Sequence, residues 1–418
     1  QTEPERFIGV CGILATSRFS LRYCPIRSAC IPALLMTDEK RAKEGDDPVS
    51  GQMPLFDLYD FSYIPVETLS AIYEQFLHSQ GEGKKIGAVY TPEHLADYLL
   101  AELNYTKPLE RGMKVLDPCC GSGIFLVLAY RKLIEMELSK RPNHKLRLTE
   151  LRRILTESIF GVERSAEACY VTELSLILTM LHYISPPELH RNPRFKFPVL
   201  HNSQIFEADF FDDSSAFWQE GKRFDWIIGN PPWIEPARTD EEERAVLSWI
   251  SDKENRQKQP VAGNRVAEAF SWRVTDLLSD NGHAGLVLPA TSLFNHESKK
   301  YRQEFFKQHK VQRVTNFTNL AYVLFGGRGE SPALTITYCK APLGREKDAI
   351  VHYGPFMINQ VLSKSSKRET WVLTINENEI STVTAEEAEI GETVPWKLAL
   401  WGSYRDKKAL QRMHRLFT

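Results

Sequence analysis

The stretch MKVLDPCCGSGIFLVLAYRKL, residues 113–133, reads as a strand, a turn and a helix in succession. Residues 113–117 form a short apolar run ending on Asp117, and Leu126, Ala129, Tyr130 and Leu133 then recur at helical spacing. Between them, Asp117 to Gly123 make a glycine-containing turn. Glycines there let the backbone approach a ligand closely, and the helix start offers N–H groups. The turn is not G-x-G-x-x-G and lacks the Lys-Ser/Thr pair of a P-loop, so a phosphate cradle is the weaker reading. Asp117 at the strand end suits a cationic, amino-bearing ligand better than a pyrophosphate. The bland alternative is a tight βα turn with Cys119 and Cys120 as packing residues.

Reading outward, strands and helices alternate. Residues 158–163, 203–209, 224–230, 283–289, 311–317 and 332–339 read as further strands. Strands separated by helix-length segments predict an α/β fold: a doubly wound, mostly parallel, Rossmann-like sheet with helices on both faces. Upstream, Leu69, Ile72, Tyr73, Phe76 and Leu77 mark a helix, giving the domain an N-terminal helical extension. Thr91 is placed to cap the next helix, with Pro92 in its first turn and Leu95, Leu99 and Leu103 on one face. The expected organisation is an N-terminal region of unassigned fold (1–60), a nucleotide-cofactor domain (61–342) and a C-terminal extension (343–418).

Glu163 ends the second strand, where a carboxylate can accept from ribose hydroxyls, and Asp209 ends the third, within reach of an adenine amino group. Either alone is an ordinary solvated strand end. With Asp117 they place three carboxylates at successive strand ends, matching a ligand with an amine, a ribose and an adenine. S-adenosylmethionine fits that description.

The fourth strand ends in IIGNPPW (227–233). Pro231 and Pro232 donate no backbone hydrogen bonds and stiffen the turn. The Asn230 amide oxygen and the Pro231 carbonyl can then grip both hydrogens of an exocyclic NH2 group, while Trp233 offers a stacking face. In isolation a proline-rich loop with a core tryptophan explains the same residues.

Bulk properties exclude several classes. Hydrophobic residues make up 42% and charged residues 25% of 418 residues, and the net charge is −2. That is ordinary globular composition without a protein-wide basic field. The basic runs at 140–153, 299–313 and 404–416 read as solvated helix faces. Seven cysteines, an odd number without C-x-x-C, argue against a disulfide framework or zinc ribbon and for a reducing, cytoplasmic setting without metal. No apolar run is long enough to span a bilayer. The chain reads as a fragment of something longer.

In order, the segments GAVYTPEHLADYLL, VLDPCCGSGIFL, IFGVE, IFEADFF, IIGNPPW, GLVLP and FGGRGESPALTITY resemble the N6-adenine DNA methyltransferases over residues 61–342. The likeness is to the class whose cofactor motifs precede the catalytic turn, as in type I modification subunits, type IIG enzymes and phage-defence methylases. The resemblance implies S-adenosylmethionine as cofactor and double-stranded DNA as substrate, with specificity or defence-complex subunits as partners. It implies Thr91 and Pro92 at the cofactor carboxylate, and Asp117, Pro118, Gly121 and Gly123 as its methionine-binding turn. Glu163 would take its ribose and Asp209 its adenine. Asn230, Pro231, Pro232 and Trp233 would clamp a flipped-out adenine, with Phe325 on its other face.

There are departures. Trp233 stands where the family more often has Tyr or Phe. The interval from Asp117 to Glu163 exceeds the about 20 residues of a compact nucleotide fold, and 141–157 reads as inserted helix. The family's target recognition domain usually follows this core, and the extension 343–418 leads toward where one would begin. The polar segment 234–264 reads as a solvated loop or a lid over the site. The same clamp also serves methylases of RNA guanine N2 or protein glutamine, and the fold can persist as a binding or regulatory subunit. No nuclease pattern is present.

Overall fold

The computed structural model describes Val66, Tyr73 and residues 91–417 apart from 142–144, 193, 325–331, 341–348, 357, 363–368 and 374. Region 1–60, most of the helical extension before Thr91, and Phe325 lie outside the described residues.

The strands are β1 (Val115–Asp117), β2 (Ile159–Glu163), β3 (Ile205–Glu207), β4 (Phe224–Gly229), β5 (Leu278–Pro289), β6 (His309–Asn316), β7 (Ala333–Lys340), β8 (Ile350–Tyr353), β9 (Ile358–Leu362), β10 (Glu369–Leu373) and β11 (Ile380–Val383). The principal helices are α1 (Glu93–Thr106), α2 (Ile124–Ser139), α3 (Leu148–Ser158), α4 (Ala166–His182), α5 (Arg244–Ser251), α6 (Lys253–Lys258), α7 (Val266–Arg273), α8 (Lys299–Gln308), α9 (Val394–Trp401) and α10 (Tyr404–Phe417), joined by shorter turns. One nine-stranded sheet has the order β11-β8-β6-β7-β5-β4-β1-β2-β3, and β9 and β10 form a separate antiparallel pair. The strands β3, β2, β1, β4 and β5 run parallel. Strand β7 inserts antiparallel between β5 and β6. The fold is therefore the mixed α/β architecture with a mostly parallel sheet that the alternation predicts.

The order reverses at β1, which pairs with β2 on one side and β4 on the other. Successive crossovers leave β1 in opposite directions, so a crevice opens at the carboxyl ends of β1 and β4. Buried apolar side chains cover both faces. Val115, Ile159, Trp226 and Val287 join α1–α4 in one cluster, and Leu116, Phe160, Ile227 and Leu286 join α7 and α8 in the other. Leu95, Leu99 and Leu103 form the buried stripe of α1. The lengthened interval before Glu163 is α3, whose Leu148, Leu151 and Leu155 are buried.

Three expectations require correction. Segment 234–264 is neither a solvated loop nor unstructured: it contains α5 and α6, and Val246, Leu247, Trp249 and Ile250 are buried. Its Trp249 packs edge-on against Phe211. The run 299–313 is a solvated face only in part: Lys299, Lys300 and Lys307 are exposed, but Arg302 and Arg313 are buried. Arg302 has no exposed surface and donates to the carbonyls of Gly391, Ser292 and Asn295. Thr91 does not cap α1. Pro92 occupies the N-cap position without a side-chain cap, and the Thr91 hydroxyl is used elsewhere. In the C-terminal extension 343–418, β8 and β11 extend the main sheet.

Arg313 of β6 also anchors α1. It donates to Glu102 at 2.8 Å, and its guanidinium lies over the rings of Tyr105 and Tyr353. Both charged groups are buried. Arg313→Met would leave Glu102 buried without its cation, at an expected cost of about 3–5 kcal/mol in denaturant unfolding. A loss under about 1 kcal/mol would mark the pair as no better than a surface bridge.

Candidate functional site

The site begins where β1 stops. Asp117 is 1% exposed, and its Oδ1 accepts from the Cys119 N–H at 3.1 Å. Burial pushes this carboxyl up to about 8; the Cys119 N–H opposes the rise and the neighbouring Glu163 charge adds to it. Gly121 and Gly123 have φ of +51° and +88°, the left-handed region that glycine adopts without strain. At Gly123 a Cβ would stand 2.8 Å from Thr172 Cγ2, and the Thr172 hydroxyl donates to the Gly121 carbonyl at 2.7 Å. The turn is thus drawn tight under α4.

Glu163 at the end of β2 fastens the same turn. Its Oε2 accepts from Gly121 N–H at 3.0 Å and its Oε1 from Ser165 N–H at 2.9 Å. The Cys120 N–H also reaches the Val162 carbonyl at 2.9 Å. Cys119 and Cys120 fit the packing role expected of them. Burial, reinforced by the Asp117 and Glu163 charges, drives both thiols well above their usual range, so neither is a thiolate nucleophile.

On the other side of β1, β4 ends at Gly229, whose backbone lies against Asp117. A Cβ there would stand 2.7 Å from Asp117 Oδ1 and 3.2 Å from Pro118 Cδ. Asn230 follows at once, and its Nδ2 donates to the Thr91 hydroxyl at 3.1 Å. That bond fixes the amide plane across 139 residues of sequence and commits the nitrogen end to Thr91. Pro231 is buried, Pro232 half-buried, and Trp233 packs against both hydrophobic clusters.

The structure therefore bonds Thr91 to Asn230 and Gly121 to Glu163, and sets Gly229, the neighbour of Asn230, against Asp117. Asp209 lies two residues past β3, with its Oδ1 on the Phe211 N–H at 2.8 Å and its Oδ2 3.7 Å from Arg164. Arg164 escaped the sequence reading. It follows Glu163 and also donates to Glu243 at 2.8 Å and to the Glu242 carbonyl, tying the start of α5 to the Asp209 corner. A cation next to a strand-end acid was the available signal, but its partner lies 79 residues away.

Comparison with known proteins bears on the family. The family profile described as N-6 DNA Methylase matches residues 66–330. The type II methyltransferase M.BstVI of Geobacillus stearothermophilus is 29% identical over 241 residues, covering 55% of this chain and 38% of that protein. The type I restriction enzyme EcoEI methylase subunit of Escherichia coli is 24% identical over 249 residues, covering 59% of this chain and 42% of its own length. The chain thus spans about two fifths of these relatives. Among solved structures, the type ISP restriction-modification enzyme LlaBIII bound to DNA superposes with a TM-score of 0.51 at 14% identity, over 83% of this chain and 25% of that one. The DrdV–DNA complex gives 0.50 at 16% identity, over 69% and 30%. These two likenesses concern the fold. With its profile match spanning more than half the residues, the chain belongs to the N-6 DNA methylase family.

Proposed function

We propose that this protein transfers a methyl group from S-adenosylmethionine to the N6 amino group of an adenine in double-stranded DNA. It would do so as the modification component of a restriction-modification or phage-defence system in the cytoplasm, alongside specificity subunits. The observation that carries the reading is the junction of two turns: Gly229 flush against Asp117, and Asn230 held by Thr91. The first turn suits a cofactor and the second an amine, and their contact brings the two ligands together.

The residues fit the cofactor on their own chemistry. A buried carboxyl held protonated up to about 8 gains from a nearby ammonium or sulfonium charge. A Cβ on Gly121 would enter open space, room that a side chain would fill. In this reading Asp117, Pro118, Gly121 and Gly123 take the methionine part, Thr91 and Pro92 its carboxylate, Glu163 the ribose and Asp209 the adenine. Bound there, the cofactor supplies an electrophilic methyl group.

Extruding an adenine from the duplex costs a few kcal/mol. Stacking on Trp233, and on Phe325 by resemblance, returns about 1–3 kcal/mol per stacked base. The Asn230 Oδ1 and the Pro231 carbonyl accept the two amino hydrogens and localise on the nitrogen a lone pair otherwise delocalised into the ring. Catalysis is then positioning and fixed dipoles, with no covalent enzyme adduct.

Incubation with tritiated S-adenosylmethionine and unmethylated duplex DNA should label adenine N6. Label in RNA or protein but not DNA would overturn the proposal. Asp117 supplies a second test. Cofactor cation beside it favours the carboxylate, so binding at pH 7 should release more than half a proton to buffer, falling toward zero above pH 9. Calorimetry in buffers of different ionisation enthalpy reads this, and the release should vanish in Asp117→Asn. Equal proton release in that variant would remove Asp117 from the cofactor site.

A further inference from the structure

Glu268 lies in the first turn of α7 and has no exposed surface. A carboxylate shut away from water is costly unless its oxygens are bonded. Here Oε2 accepts from the Ala262 N–H at 2.9 Å and Oε1 from the Ser298 hydroxyl at 2.6 Å. Arg265 lies 3.8 Å from Oε1 and donates to Ser298 Oγ at 2.6 Å. The same guanidinium reaches Glu297 at 2.7 Å and Glu235 at 3.5 Å. From α8, Arg302 and Tyr301 face the carboxylate electrostatically. Burial still pushes it up to about 7 against these bonds.

What this group secures is the loop 260–266, and that loop grips the chain as it leaves Trp233. Val266 N–H donates to the Ile234 carbonyl at 3.1 Å, and Asn264 Nδ2 to the Pro236 carbonyl at 2.8 Å. Between them the Glu235 carboxylate occupies the space over Gly263, whose φ of +58° also favours glycine. Trp272 Nε1 closes the start of the loop on the Pro260 carbonyl at 3.1 Å. Three successive residues after Trp233 thus rest on a loop whose own anchor is Glu268.

We propose that Glu268 is a positioning residue for the Asn230–Trp233 turn, acting through the 260–266 loop without touching any ligand. Its effect on methyl transfer rests on the functional reading above; its effect on the turn's mobility does not.

The test uses hydrogen–deuterium exchange with methyl-transfer kinetics on Glu268→Ala, Glu268→Gln and Asn264→Ala. In Glu268→Ala, exchange of the Val266 amide, which bonds the Ile234 carbonyl, should accelerate about tenfold or more relative to peptides of β1 and β2. The turnover number should fall at least as far, with S-adenosylmethionine affinity within about twofold of wild type. Glu268→Gln keeps an acceptor for Ala262 and a partner for Ser298, and should restore most of both. Asn264→Ala, at a half-buried position, should shift exchange of the Val266 amide in the same direction by less, and it decides the matter if Glu268→Ala does not fold. Unchanged exchange of the Val266 amide in a folded Glu268→Ala, or in Asn264→Ala, would overturn the proposal, as would Gln behaving like Ala. Should wild type methylate no DNA, the functional reading fails while the exchange data still judge the anchor.

Discussion

Asn230→Ala should bind S-adenosylmethionine as wild type does and lose methyl transfer by on the order of 10²–10³-fold, the usual cost of deleting one preorganised polar group from a reacting centre. The substitution removes an acceptor for the target amine and also the bond to Thr91. Asp117 and Glu163 keep their bonds to the Cys119, Gly121 and Ser165 N–H groups, so the glycine turn stays in place. Calorimetry for the cofactor and label incorporation into DNA separate the two effects. Transfer within a few-fold of wild type would dismiss the clamp, and a parallel loss of cofactor affinity would make Asn230 a cofactor residue instead.

Gly229→Ala should fail differently. The added methyl would stand 2.7 Å from Asp117 Oδ1 and 3.2 Å from the Pro118 ring. Asp117 is buried and held by the Cys119 N–H, so it has little room to yield. Either the carboxylate swings away or the β4 tip lifts, and both turns lose register. Overpacking of this kind typically costs about 1–3 kcal/mol of stability. We expect cofactor affinity to fall at least tenfold and transfer to fall further, so the two readouts drop together. Unaltered affinity would show that the turns move independently.

Much of this was legible in the sequence for a definable reason. In βα alternation the residue ending each strand lies on the carboxyl rim, so Asp117, Glu163, Asp209 and Asn230 could be gathered before any coordinates. What stayed hidden depends on distant partners. The Thr91-Pro92 pair follows the local rule for a helix cap, yet the hydroxyl serves Asn230. Arg302 and Glu268 look like solvated charges because charged side chains usually are; their backbone and hydroxyl partners come from other elements. The buried face of α5, Val246, Leu247, Trp249 and Ile250, is four residues inside a run of acids and bases, too brief to outweigh that composition. Strand β7 inverts between β5 and β6, which alternation alone cannot foresee. The four-residue strands β8 and β11 fall below the length at which a pattern can be counted.

Strand β8 has a practical consequence. It pairs in parallel with β6, β11 pairs with it in turn, and Trp396 of α9 stacks on Phe306 of α8. The profile match ends at residue 330. A polypeptide trimmed there would lose β7 as well, leaving β5 and β6 with open ladders and Phe306 uncovered. Such bare edges invite intermolecular pairing. An insoluble or inactive short version would therefore report on its broken margin and say nothing about its chemistry.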